Sequence, residues 1–259
     1  MKKLLLLIFT ISLLSHKAHS QVDENPIEKI AYKVLQNEMF SNRFLKNFVF
    51  IKTNFFKKKA LSDMDKSIAK FDDNLSFIIL HLPYDKEVKE AYIKLQNYWN
   101  IYRIALTNYE NENYESLIIK TKKFNKLLAN LSKSVIHKHH QYEKKKKLFE
   151  KIPYLVNSVK MVDNFAIAYV LKNSLELENA YNYFDLSFSD GKKYLKKLGK
   201  DKAKGNIYIS IISDLNMSLD GIKNIFEKNS YSPKMMYSES NNFSKLAFKL
   251  LDHLFNKAK

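Results

Sequence analysis

The apolar positions of this chain repeat with the period of an α-helix over most of its length. In the clearest segment they step by four and three residues, at Leu117, Thr121, Phe124, Leu128, Leu131 and Val135. This spacing is typical of helices that pack at a shallow angle. A second stripe follows helical spacing at Phe243, Leu246, Ala247, Leu250, Leu251, Leu254 and Phe255. Because few segments alternate apolar and polar residues as strands do, the pattern predicts an all-α protein with long helices.

Turn-forming residues divide this pattern into eight predicted helices. The chain has only four glycines and four prolines, so we expect few turns. We predict N-caps at Asn25 and at Ser62-Asp63, and a turn over 108–113. The predicted helices cover about 26–59, 62–82, 85–108, 114–149, 153–174, 177–198, 206–227 and 234–257. Two sets of four helices predict tandem antiparallel four-helix bundles, 21–147 and 148–259, joined near 144–153.

The N-terminal twenty residues have the pattern of a secretory signal peptide. Lys2 and Lys3 precede an apolar run from Leu4 to Leu14, and Ala18-His19-Ser20 places small residues where a signal peptidase cuts. The alternative is an uncleaved membrane anchor, which the shortness of the run and the small residues disfavour. We therefore expect a soluble protein that begins near Gln21 and is periplasmic or otherwise secreted.

Composition narrows the classes of partner and of chemistry. The chain has no cysteine, which excludes disulfides, thiol nucleophiles and thiolate metal sites. Its formal net charge is +17, which is typical of nucleic-acid-binding proteins. However, the lysines are spread along the whole chain and the expected compartment lacks nucleic acid. We expect no nucleic-acid partner, and we consider anionic lipid head groups or envelope polymers more plausible.

The seam of the first predicted helix contains a polar interruption. Apolar residues at Ile27, Ala31 and Val34 are followed at the same spacing by Glu38 and Ser41, and then by Leu45 and Phe48. Asn37, Asn42 and Arg43 lie beside Glu38 in the sequence. An unpaired buried carboxylate costs several kcal/mol, so Glu38 must be paired, solvated or in contact with another subunit. Two interpretations stay open: a carboxylate paired within the bundle, or a ligand-binding or dimer-contact site formed by Asn37, Glu38, Ser41, Asn42 and Arg43.

We find no arrangement of residues that predicts catalysis or a cofactor. His137 and His140 are spaced to share a helix face, which is one way to begin a metal site. No third ligand lies at a suitable spacing, and the basic residues around them repel cations. The sequence also has no nucleophile–base pair and no glycine-rich phosphate loop. We therefore predict that the protein is not an enzyme and binds neither metal nor cofactor.

Several segments resemble a known sensor domain. Residues 27–48, which include Met39, Ser41 and Arg43, are similar to the opening helix of the N-terminal domain of type IV pili methyl-accepting chemotaxis transducers. This domain type also occurs in nitrate/nitrite sensor kinases. Residues 95–106 match its third helix, with Trp99 in the place of the family's tryptophan. Residues 157–171 resemble a diverged second copy of the opening motif, and residues 231–240 resemble the entry to the final helix of soluble, two-copy members.

The resemblance implies a helical sensor domain, but the anion-binding motif has changed. The family's arginine, which contacts the anion in nitrate sensors, falls on Glu38, and the second copy places Val159 or Asp163 there. A carboxylate cannot replace a guanidinium toward an anion, so we expect no nitrate or nitrite binding.

Two functions remain as hypotheses. The first is a periplasmic helical-bundle binding or sensing protein that has no output domain and acts through a partner, with an unknown small-molecule ligand. Its candidate partners are a membrane-bound signalling protein, an anionic envelope surface, or a second copy paired through the first helix. The alternative is a structural or envelope-interaction protein that has lost the ligand site. The polar interruption at Glu38 and Asn42 favours the first, and the divergence of both motif copies favours the second.

Overall fold

The protein is all-α, as predicted. A computed structural model describes residues 26–82, 85–139, 152–171, 205–227 and 232–256, together with scattered positions between 189 and 199, and the described residues contain no strand. The helices are α1 (Pro26–Lys52), α2 (Lys57–His81), α3 (Lys86–Thr107), α4 (Tyr114–His139), α5 (Ile152–Leu171), α6 (Gly205–Glu227) and α7 (Pro233–Asn256). The predicted signal peptide, the Asn25 cap, most of the predicted join at 144–153 and most of the predicted sixth helix lie outside the described residues.

The first four helices pack around an aromatic core. Phe44 of α1 and Phe71 of α2 meet Trp99 of α3 and Phe124 of α4, with ring centroids 4.2 to 6.5 Å apart. The predicted seam of α4 is confirmed, because all six of its positions are buried. Tyr102 completes the cluster, and its hydroxyl lies 2.8 Å from Oγ1 of Thr121. Buried aromatic side chains of this size contribute strongly to the stability of a core.

The first helix is buried on both sides rather than along one stripe. One side packs on α2 and α4, and the other packs on α5 and α7. Between Ile30 and Ile51, only Tyr32, Lys33, Glu38 and Arg43 are partly exposed. Such all-round burial is typical of a helix at the centre of a protein. The two sets of helices are therefore in contact along α1, and α6 packs on α7 in the second set.

The end of α1 and the start of α2 differ from the prediction. Helix α1 ends at Lys52, and α2 begins at Lys57, so Ser62-Asp63 lies inside α2 and does not cap it. Residues 53–56 form the turn, in which Asn54 and Phe56 have φ values of 58°. This left-handed conformation is unusual for phenylalanine. The Phe56 ring packs 5.8 Å from that of Tyr237, so a tertiary contact from α7 holds the turn.

Other predicted boundaries are confirmed. Helix α3 begins after Asp85, whose carboxylate accepts a hydrogen bond from the Val88 amide at 3.1 Å. The predicted turn over 108–113 separates α3 from α4, and Oδ1 of Asn113 accepts from the Ser116 amide at 2.6 Å. Among the residues that the structure describes, no helix is both long enough and apolar enough to cross a membrane.

Candidate functional site

Glu38 lies where α1, α4 and α5 meet, and its carboxylate is paired. Oε2 of Glu38 is 3.4 Å from the ammonium of Lys160 on α5. The Glu38 side chain is only 12% exposed, so the pair is partly shielded from water. This contact fits the interpretation of Glu38 as a carboxylate paired within the bundle.

Asn42, one turn after Glu38, links the same three helices. Its amide nitrogen donates to the Lys160 carbonyl at 3.2 Å and to Oδ1 of Asn164 at 3.3 Å. Its amide oxygen accepts from Asn125 of α4 at 3.0 Å. Glu38 and Asn42 therefore form one polar junction, which we call the α1–α4–α5 junction. Ser41 lies between them, but its hydroxyl donates to the Glu38 carbonyl within α1, at 2.8 Å.

The other two predicted site residues face different helices. Oδ1 of Asn37 accepts a hydrogen bond from Asn74 of α2 at 2.9 Å. The guanidinium of Arg43 lies 5.8 Å from the ring centre of Phe40 and 5.3 Å from that of Phe248 on α7. The five residues thus do not converge on one point, and only Glu38 and Asn42 join the α1–α4–α5 junction through their side chains.

The contacts of α1 leave little of its surface for a second copy of the chain. Asn37 and Ser41 are fully buried and Asn42 is 5% exposed, all against helices of the same chain. Glu38 and Arg43 are partly exposed. A homodimer through the first helix stays a prediction. Of the five candidate residues, only Glu38 and Arg43 are exposed enough to contact a second copy.

A groove opens beside Glu38 at the same junction, and sequence analysis did not predict it. Its volume is about 350 Å³, within the range of about 300–1,000 Å³ typical of small-molecule sites. Its apolar wall is formed by Leu35, Ala129, Ile136, Pro153 and Val156. These residues come from three helices, α1, α4 and α5, so no single stretch of sequence marks the groove.

Polar groups border this apolar wall. Glu38, Ser132, Lys133, His137 and Asn157 also line the groove, and the Lys160 ammonium is in contact with Glu38. The border of the groove therefore carries the Glu38 carboxylate, the Lys133 ammonium, an imidazole, an amide and a hydroxyl, and the carboxylate is paired with Lys160. The groove combines apolar surface with an excess of hydrogen-bond donors and positive charge.

Among the described residues, the most deeply buried charges form a second cluster, two turns further along α1 from Glu38 and at its contact with α5. Lys46 of α1 and Asp163 of α5 are both fully buried and form an ion pair. The Lys46 ammonium also donates to Oγ of Ser240 at 3.2 Å and to Oδ1 of Asn241 at 3.0 Å, both on α7. Burial lowers the pKa of Lys46, and the charge of Asp163 opposes that change. This cluster, the α1–α5–α7 junction, joins both sets of helices.

The α1–α5–α7 junction was not predicted, although the sequence of α1 contains a feature that points to it. Lys46 and Asn47 interrupt the otherwise apolar run from Phe44 to Ile51, as a buried polar pair would. The junction continues through Tyr237 of α7, whose hydroxyl donates to Oδ1 of Asn47 at 2.9 Å and lies 3.0 Å from Oδ2 of Asp63. Burial raises the pKa of this tyrosine, so it stays a neutral donor.

The positions that the resemblance aligns with the family's anion contact offer no guanidinium. Glu38 is paired with Lys160, while Val159 and Asp163 are fully buried and Asp163 is bonded to Lys46. Within the part of the chain that the structure describes, no group of three or more histidine, aspartate or glutamate side chains is placed to hold a metal. His140 lies outside the described residues.

The pairing of Glu38 leads to a measurable expectation. Changing Glu38→Gln should lower the free energy of unfolding by about 1 kcal/mol, because it removes a partly shielded charge-assisted contact with Lys160. Chemical denaturation measures this difference, and Glu90→Gln on the exposed face of α3 is the matched control, expected to change stability little. Equal stability of the two variants would show that Glu38 behaves as a solvated residue.

Comparison of the chain with protein-family models, with curated proteins and with solved structures finds no match. The similarity to the chemotaxis-transducer sensor domain therefore rests on the sequence segments quoted above.

Proposed function

We propose that this protein is an extracytoplasmic helical-bundle binding or sensing protein that acts through a partner. The observation that supports this most directly is the groove at the α1–α4–α5 junction. A molecule in that groove would touch Leu35 of α1, Ile136 of α4 and Val156 of α5 at once. Those helices belong to both sets, so a bound molecule can bias how the two sets pack together.

Two further features agree with a sensing role. Helix α1 packs against helices of both sets. A shift of α1 caused by contacts on one side would therefore change its contacts on the other side. The α1–α5–α7 junction favours the present alignment of that packing, because a shift that separated Lys46 from Asp163 would leave two buried charges unpaired. A ligand can change the packing of α1 only if it binds one arrangement of the helices more tightly than another.

The location and the partner belong to the same proposal. The N-terminal signal pattern predicts export, and the resemblance implies a sensor domain. Contact with a membrane-bound signalling protein would then supply the output.

Binding should be detectable as thermal stabilisation of the purified protein. In a panel of amino acids, organic acids, sugars, nucleosides, nitrate and nitrite, we expect at least one compound to raise Tm, since a ligand stabilises the state that binds it. Nitrate and nitrite should not, because the position aligned with the family's arginine is Glu38, which offers no guanidinium. Ala129→Trp should abolish the shift by filling the groove. Asn130→Trp, also exposed on α4 but outside the groove, should retain it.

The alternative is a structural or envelope-interaction protein. It is favoured by α4, where the stretch 116–139 contains no aspartate or glutamate and where Lys122, Lys126 and Lys133 are exposed. Such a face suits an anionic surface. If no compound of the panel raises Tm, or if the shift survives Ala129→Trp, the groove is not the binding site and this alternative gains support.

A further inference from the structure

We infer that the groove at the α1–α4–α5 junction takes an amphipathic monoanion, a molecule with a short aliphatic body and a carboxylate head. The inference rests on the proposed function, since it names the class of ligand for the same groove. It is drawn from three properties of the site: its size, its apolar wall and the sign of its charged border.

The apolar wall of the groove indicates that the body of the ligand is aliphatic. Leu35, Ile136 and Val156 are aliphatic, and Pro153 and Ala129 complete the same surface. This surface offers contact to methylene groups. Burial of each methylene against this wall favours binding, so a chain of several carbons gains most of its affinity there. A sugar or an inorganic anion would leave the wall unused.

The charged residues at the border of the groove indicate that the head group of the ligand is negatively charged. Among the residues that the structure describes, the titratable side chains that line the groove are Glu38, Lys133 and His137, and Lys160 is in contact with Glu38. Glu38 is the one carboxylate, and the Lys160 ammonium already faces it at 3.4 Å. Lys133 is exposed on α4 and also lines the groove. The net charge that a ligand head meets is therefore positive.

Neutral donors at the same border favour a carboxylate among anions. The Asn157 amide and the Ser132 hydroxyl line the groove with Lys133. A carboxylate has two oxygens and about four lone-pair directions, which an ammonium, an amide and a hydroxyl can satisfy together. A cationic amphiphile would instead compete with Lys160 for Glu38 and would be repelled by Lys133.

The inference is tested by calorimetric titration of the purified protein with sodium octanoate. Acetate has the same head without the body, and octylammonium has the same body with the opposite charge. We expect saturable binding of octanoate with one site per chain and no saturable binding of acetate or octylammonium. A measurement at about 150 mM salt suppresses unspecific attraction to the basic surface.

Variants locate the binding. Lys133→Glu should weaken octanoate binding by about tenfold or more, since a charge-assisted contact is worth about 1.5–3 kcal/mol. Lys122→Glu makes the same charge change at another exposed position of α4 that does not line the groove, and it should leave the affinity unchanged. Ala129→Trp should abolish binding, whereas Asn130→Trp should not.

Each contrary result has a distinct meaning. Equal binding of octanoate and octylammonium, or equal weakening by Lys133→Glu and Lys122→Glu, would overturn the recognition of an anion at this groove. If octanoate fails while another compound raises Tm in a manner that depends on Ala129, the ligand class is wrong and the proposed function stands. If neither octanoate nor any compound of the panel binds, both are wrong.

Discussion

Replacing Asp163 with alanine is expected to lower the free energy of unfolding by about 3–5 kcal/mol, because it leaves the ammonium of Lys46 buried without its partner charge. Both side chains are fully buried, so water cannot take the place of the lost carboxylate. The remaining contacts of Lys46, with Ser240 and Asn241, are to neutral groups and offset little of that loss. Urea or guanidinium denaturation monitored by circular dichroism measures the difference.

Two comparisons make this expectation specific. The double variant Lys46→Met with Asp163→Leu should be much more stable than Asp163→Ala alone, because no buried charge remains in it. Asp220→Ala removes the carboxylate of a surface pair with Lys192, whose members are 47% and 42% exposed, and should change stability by about 0.5 kcal/mol or less. A loss at Asp163 no larger than that at Asp220 would contradict the burial of the pair.

Replacing Phe71 with alanine is expected to cost about 3–5 kcal/mol of stability, because it opens a cavity in the aromatic core of the first bundle. Phe71 is fully buried, and its ring lies 4.2 Å from that of Trp99 and 5.5 Å from that of Phe124. Trp99 is the only tryptophan of the chain, so its emission reports on this core directly. The variant should show altered tryptophan emission in the folded state as well as a lower denaturation midpoint.

A second phenylalanine of the same helix provides the control. Phe77 is half-buried near the end of α2 and stacks on His81 at 4.1 Å. Phe77→Ala should therefore cost clearly less than Phe71→Ala and should leave the emission of Trp99 unchanged. Similar losses from the two variants would contradict the aromatic cluster as the centre of the core.

The fold was predictable from sequence where a helix buries a single stripe. The seam of α4 and the stripe of α7 follow helical spacing, and their positions are buried almost without exception. Helix α1 has no such single stripe, because it is buried on both sides. Its end at Lys52 was misplaced for a related reason, since the turn contains neither glycine nor proline and depends on the packing of Phe56 against Tyr237.

The candidate site was predictable only in part. Glu38 stands out because it interrupts an apolar seam, and the structure does place it beside a groove. Its partner Lys160 is 122 positions away, and no local pattern pairs two residues at that distance. Lys46 and Asp163 are 117 positions apart, and the sequence marks only the first of them as unusual. Spacing rules describe one helix at a time, whereas each of these junctions is formed by residues from three helices.

The central position of α1 has a consequence for the order of folding. Its contacts with α2 and α4 can form early, but those with α5 and α7 join residues as far apart as Tyr32 and Asp252, 220 positions along the chain. Contacts of such long sequence separation form late and slowly. Until then, one side of α1 presents Phe40 and the charge of Lys46 to solvent, next to other apolar surface. A polypeptide released before α7 is complete would therefore expose apolar surface of the first helix, and about the last tenth of the chain decides whether that helix is protected from aggregation.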